Sequence, residues 1–212
     1  MLAALALTAC SQVSLTAIDA LPTSSASPAT PSTSAPRTAS PGPSPSASSK
    51  TSTAPAAIPT ACSKVVSPDA YATIFGGTPL NDPKVVGPSD SETLTPMPSE
   101  TGAAPGDIVF NAVSLRCVWR DPAADITGIS IEDSRVEGSV ATAYLAELEA
   151  SGYSCGDAAG GVRCQQTGIE PQYQVDVAQT VLARDGIVIS VNQANFPTDN
   201  LLSQLAVAIW GE

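Results

Sequence analysis

The sequence predicts an α+β domain, a mainly antiparallel sheet of about five strands with helices packed on one face, following a disordered tether. Three observations point there. Several short apolar stretches alternate with period two and are joined by turn residues. Other stretches repeat their apolar residues at helical spacing. Between Leu21 and Ala61, by contrast, the chain is almost only Ser, Thr, Pro and Ala, with prolines at 22, 28, 31, 36, 41, 43, 45, 55 and 59.

That proline-rich stretch holds no Asp or Glu and only Arg37 and Lys50 as charges. It has too little apolar surface to offset the entropy of ordering. We read residues 10–61 as a tether, part flexible and part polyproline-like, whose proline-rich part from Leu21 to Ala61 could reach on the order of 100 Å when extended. The folded domain is then 62–212. Ser67-Pro68-Asp69 opens a short helix with a Ser cap, a first-turn Pro and an acid at its positive end. Ala70, Tyr71, Ile74 and Phe75 form its apolar face, and Gly76-Gly77 stop it. Residues 78–106 contain six prolines and few apolar groups, and read as a long acidic loop without regular structure.

Strands follow. Val113, Leu115, Cys117 and Trp119 alternate with Ser114, Arg116, Val118 and Arg120. After the turn at 121–125, Ile129 and Ile131 carry the next strand. Val140, Ala141, Tyr144, Leu145 and Leu148 define a second helix, closed by Gly152. Residues 162–167 form a strand, and Tyr173, Val175, Val177 and Val181 alternate in another. Asp185-Gly186 is a hairpin turn, returning through Ile187, Ile189 and Val191. Pro197-Thr198-Asp199 starts the last helix, whose face is Leu201, Leu202, Leu205, Ala206 and Ile209. Short turns between strands make the sheet antiparallel. Its uncovered face would show Arg116, Arg120, Gln174, Asp176, Thr180, Ser190 and Asn192.

Charge and cysteine content narrow the function. The net charge is -11, and from Cys62 onward seven basic residues face 19 acidic ones, a balance of −12. Such a domain has no electrostatic footprint for nucleic acid. Four cysteines lie in the domain, Cys62, Cys117, Cys155 and Cys164. An even count in an exported domain reads as two disulfides, with three possible connectivities. We favour 155–164, which flanks the turn-forming Gly156–Gly161, and 62–117, which pins the first ordered residue to a strand. In the chain-entropy model their loops contribute about 2.7 and about 4 kcal/mol. No CxxC spacing and no His is available to complete a metal site.

The N-terminus indicates the compartment. An apolar run ends in Leu7-Thr8-Ala9-Cys10, which resembles the lipobox of bacterial lipoproteins. That resemblance implies cleavage before Cys10 and a diacylglyceryl thioether on it, with 1–9 the remnant of a signal peptide. No Lys or Arg precedes Cys10, which points to a translation start upstream of Met1. Two acyl chains hold a protein stably to a membrane. The lipobox, the tether and the pairing of Cys62 with Cys117 in Cys117-Val118-Trp119 together resemble the cell-envelope lipoproteins of actinobacteria. Members of that group include extracellular sensor domains of receptor kinases. The resemblance transfers no catalytic residue.

Catalytic options are few. Without His there is no Ser-His-Asp or Cys-His arrangement. No glycine-rich phosphate motif or calcium loop occurs. What remains for an enzyme is a carboxylate pair drawn from Glu132, Asp133, Glu147 and Glu149. Arg116 and Arg120, four apart on one strand face, could hold an anion, although pairing with acids across the strand is the commoner use. The expectation is a monomeric, non-catalytic binding or sensor-like domain without cofactor, anchored by Cys10 on the extracytoplasmic side of the cell membrane. Its partner would be an envelope protein, a glycan or a small ligand. The alternative is an envelope hydrolase using two carboxylates.

Overall fold

A computed structural model describes residues 55–87 and 92–211. Cys10 and the tether up to residue 54 lie outside the described residues. After a 3-10 turn at Cys62–Lys64 come α1 (Pro68–Ile74), α2 (Pro83–Val86) and α3 (Pro105–Asn111). Strands β1 (Val113–Trp119) and β2 (Gly128–Arg135) precede α4 (Gly138–Ala150). Then follow β3 (Ser154–Ala158), β4 (Gly161–Glu170), β5 (Val175–Arg184), β6 (Ile187–Ala194) and α5 (Leu201–Trp210). The six strands form one sheet in the order β1-β2-β6-β5-β4-β3, antiparallel throughout. The domain is thus α+β with an antiparallel sheet, as the alternation predicts.

The helices divide between the two faces of the sheet, where the sequence reading places them on one. Leu182, Ile187, Ile189 and Ile131 pack with α1 and α5 in the larger core. Their strand neighbours Val181, Ala183 and Val188 point the other way and pack beneath α3 and α4. The physical reason lies in the centre of the β5–β6 hairpin, where Thr180–Ala183 and Ile187–Ile189 are buried without a break. A continuous apolar run needs cover on both faces, whereas alternation needs it on one. Asp185 (φ 51) and Gly186 (φ 75) make the tight turn that closes this hairpin. A Cβ on Gly186 would sit 2.7 Å from the Val136 carbonyl oxygen.

Trp119 organises the larger core and is 0% exposed. Its ring stacks on Phe75 at 3.8 Å between centroids, and its indole N–H donates to Tyr71 Oη at 3.0 Å. Ser67 caps α1 by accepting from the Ala70 N–H, and this fixes Tyr71 and Phe75 over the tryptophan. On the same face two residues earlier, Cys117 is bonded to Cys62. The second bond joins Cys155 to Cys164, which are direct cross-strand partners in β3 and β4. The hairpin between them turns at Ala159-Gly160, both at positive φ. The turn is therefore tighter than the Gly156–Gly161 span, and the edge strand β3 takes up the difference.

Residues 78–106 are not a structureless loop on either side of 88–91. Arg120 N–H donates to the Pro79 carbonyl (3.0 Å) and Asn81 N–H to that of Val118 (2.7 Å). Further along, Arg116 N–H donates to Glu92 (2.9 Å) and Leu94 N–H to Ser114 (2.9 Å). The segment lies along the outer edge of β1 and satisfies backbone groups that would otherwise be an exposed edge. Its prolines keep it from becoming a regular strand. Residues 55–61, read as tether, also lie against the domain. Ala57 N–H donates to the Ile209 carbonyl at 3.2 Å, Arg135 Nη2 donates to the Ala56 carbonyl at 2.9 Å, and Ala56 and Ile58 pack on the larger core. The short apolar sequence Ala56-Ala57-Ile58 is what distinguishes this piece from the rest of the tether.

Candidate functional site

On the face carrying α3 and α4, those helices cover only part of the sheet. Beyond them, strand register lines up one residue from each of five strands. Gln166 pairs with Gln179, Gln179 with Asn192, Asn192 with Ser130, and Ser130 with Val118. The next row outward is Gly168, Val177, Ala194 and Gly128. Small residues there lower the floor, and a cleft of about 520 Å³ opens over both rows. Space is tight at Gly128: a Cβ would lie 3.0 Å from the Trp119 carbonyl oxygen and 3.1 Å from Arg120 Cβ.

Apart from Arg120, the residues that line the cleft are neutral. Three carboxamides, each able to donate and accept, stand beside the Ser130 hydroxyl over an apolar floor that includes Val118 and Val177. Tyr153, just past the end of α4, donates its hydroxyl to Gln179 Oε1 and so orients that amide. Burial pushes the Tyr153 pKa up. No Asp or Glu lines the cleft.

Arg116 and Arg120, the candidate anion ligands, do not act together. Arg116 Nε donates to Glu132 Oε1 at 2.7 Å, its direct cross-strand partner, and its guanidinium lies 6.0 Å from the Phe110 ring centre. This is the cross-strand pairing the commoner reading anticipates. Arg120 lines the cleft, but its Nη2 donates to the carbonyls of Ala124 and Asp125 and braces the turn after β1. Of the predicted polar face, Ser190 and Asn192 share the sheet face with the arginines. Asp176 and Thr180 fall on the opposite face, Thr180 being 8% exposed. Gln174 sits in the β4–β5 turn at φ 56.

The four candidate acids are spread over separate settings. Pleating sends Glu132 and Asp133 to opposite faces of β2. Glu147 Oε2 accepts from the Gly106 N–H at 3.1 Å, tying α4 to α3, and Glu149 is exposed. Glu132 and Glu147 both lie near enough to Tyr144 to add to the rise that burial imposes on its pKa. Each is nevertheless engaged, one by Arg116 and the other by Gly106. Asp133 is the exception. It is 1% exposed in the larger core, between Leu115 and Ile189, with both carboxyl oxygens lacking a partner. Desolvation raises its pKa from 3.8 to about 7.

Among the described residues no group of three or more His, Cys, Asp or Glu is placed to hold a metal. No protein-family model matches the chain. No curated protein matches it either.

Proposed function

We propose that this protein is an extracytoplasmic lipoprotein, anchored to the cell membrane through Cys10, whose domain binds a neutral, amide-bearing ligand of the envelope in the open cleft. The ligand class is that of a peptide segment or an N-acetylated glycan. The observation that carries this reading is the row Gln166, Gln179, Asn192 and Ser130, brought into register over a floor of small and apolar residues. Side-chain amides answer the donors and acceptors of such a ligand without the desolvation cost of a charge. The two disulfides favour an oxidising compartment. Among the described residues no helix is long and apolar enough to cross a membrane, so membrane attachment in this reading rests on the lipid.

Gln179 and Asn192 are exposed, so replacing them leaves stability within about 0.5 kcal/mol. Titrating the protein with a short neutral peptide and with a chito-oligosaccharide tests the cleft. One of the two is expected to give saturable binding, weakened roughly fivefold or more by Gln179→Ala with Asn192→Ala, since two lost hydrogen bonds cost about 1–3 kcal/mol. Absence of binding by both probes, or binding indifferent to the double substitution, contradicts the assignment.

A further inference from the structure

We infer that a second, smaller pocket, on the opposite face of the sheet and under the start of α5, binds an oxyanion group, a phosphate or a carboxylate. The pocket has a volume of about 180 Å³, and Arg163, Gln165, Thr180, Thr198, Leu202 and Ser203 are among its lining residues. No Asp or Glu lines it. The chemistry starts from Arg163 in β4. Its cross-strand neighbours are Gly156 and Leu182, neither of which can pair with a guanidinium. Its Nε is buried and has no hydrogen-bond partner. A buried guanidinium N–H left without an acceptor is costly, and an oxyanion is the partner whose geometry matches it.

Thr180 is the second donor. It is 8% exposed, and its Oγ1 accepts from Gln165 Nε2 at 3.0 Å. That leaves its own O–H without an acceptor among the described residues. The helix end adds to these two. The N-cap Asn200 takes a left-handed conformation (φ 58) and gives no side-chain cap. The first cap bond is Leu201 N–H to Thr198, and the ladder begins with Gln204 N–H to Asn200. Leu202 and Ser203, between them, line the pocket, and their N–H groups lie in the first turn, at the positive end of the helix dipole. Arg163, Thr180 and the first residues of α5 thus line one pocket without Asp or Glu, in a domain whose overall charge repels anions. The selectivity this implies is for a localised oxyanion rather than a polyanionic surface.

The pocket shares the lining residue Gln193 with the cleft and is tested separately, on the full chain by amide and arginine Nε NMR at constant ionic strength in chloride. Inorganic phosphate and acetate are the probes, one for a tetrahedral and one for a planar oxyanion. At least one is expected to shift the Leu202, Ser203 and Arg163 Nε signals saturably at millimolar concentration, leaving the Gln179 and Asn192 side-chain amides in place. Arg163→Gln should weaken that response roughly tenfold or more, as loss of a charge-assisted bond implies. Arg163→Lys, which keeps the charge, should retain part of it and serves as the reading if the glutamine variant fails to fold. No saturable shift with either probe up to tens of millimolar overturns the inference, and so does a response unchanged by Arg163→Gln.

Discussion

Replacing Cys62 and Cys117 together by alanine is expected to lower the stability of the domain by about 4 kcal/mol, the chain-entropy value for so long a loop. The two residues are 55 apart in sequence, and the bond links the 3-10 turn near the start of the domain covalently to the edge strand β1. Both cysteines are 0% exposed and belong to the cluster that contains Phe75 and Trp119. Losing the bond therefore also loosens the packing of the Phe75 ring on Trp119, which sits two residues beyond Cys117 in β1. The Cys155–Cys164 bond closes a far shorter loop, and cutting it frees only the edge strand β3, with an expected loss of about 2.7 kcal/mol. Urea unfolding of the two double variants checks the order. Equal losses, or a larger one for the 155–164 bond, would contradict the account of the core.

Asp133→Asn is expected to stabilise the protein, and only above acidic pH. The unfolded carboxyl titrates near 3.8 and the folded one near 7. Below the lower value both states hold the proton, and the residue contributes no pH-dependent cost. Between the two, the folded state keeps a proton that the unfolded chain has given up, so stability falls as pH rises. Above about 7 both states are ionised and the cost is at its largest. At about 1.4 kcal/mol per unit the ceiling is about 4 kcal/mol, and a gain on the order of 2–4 kcal/mol is expected for the asparagine variant at pH 8. At pH 4 wild type and variant should unfold alike. The Asp133 carboxyl oxygens have no hydrogen-bond partner, so the substitution forfeits no hydrogen bond that the carboxyl makes. An asparagine variant less stable than wild type at pH 8 would show that the ionised carboxylate has a stabilising partner.

The strands were readable where burial alternates. Val113 to Trp119 declares its buried face residue by residue, and Asp185-Gly186 marks its hairpin through the positive φ that both positions need. The edge strand β3 was not readable, because Ser-Cys-Gly-Asp-Ala has no alternating apolar residues and is held by the disulfide and by pairing to β4. Helix α3 escaped notice because its N-cap, Ala104, offers no side-chain cap. The signal for two covered faces was present in Val181-Leu182-Ala183 and Ile187-Val188-Ile189, where strict alternation is broken. The cleft could not be read in one dimension. Gln166, Gln179, Asn192 and Ser130 belong to four strands, and only the register makes them neighbours. Asp133 is visible in the sequence as a candidate acid, but adjacent residues on a strand point to opposite faces, so Glu132 and Asp133 do not form a pair.

The central claim is that this domain is exported, oxidised and held to a membrane by a lipid on Cys10. The intact mass of the protein purified from cell membranes tests all three parts together. The expected mass is that of a chain beginning at Cys10 with acyl groups attached and with four hydrogens fewer than the fully reduced form, one pair for each disulfide. A mass that retains residues 1–9, lacks acyl groups and accounts for free thiols at Cys62, Cys117, Cys155 and Cys164 would contradict it.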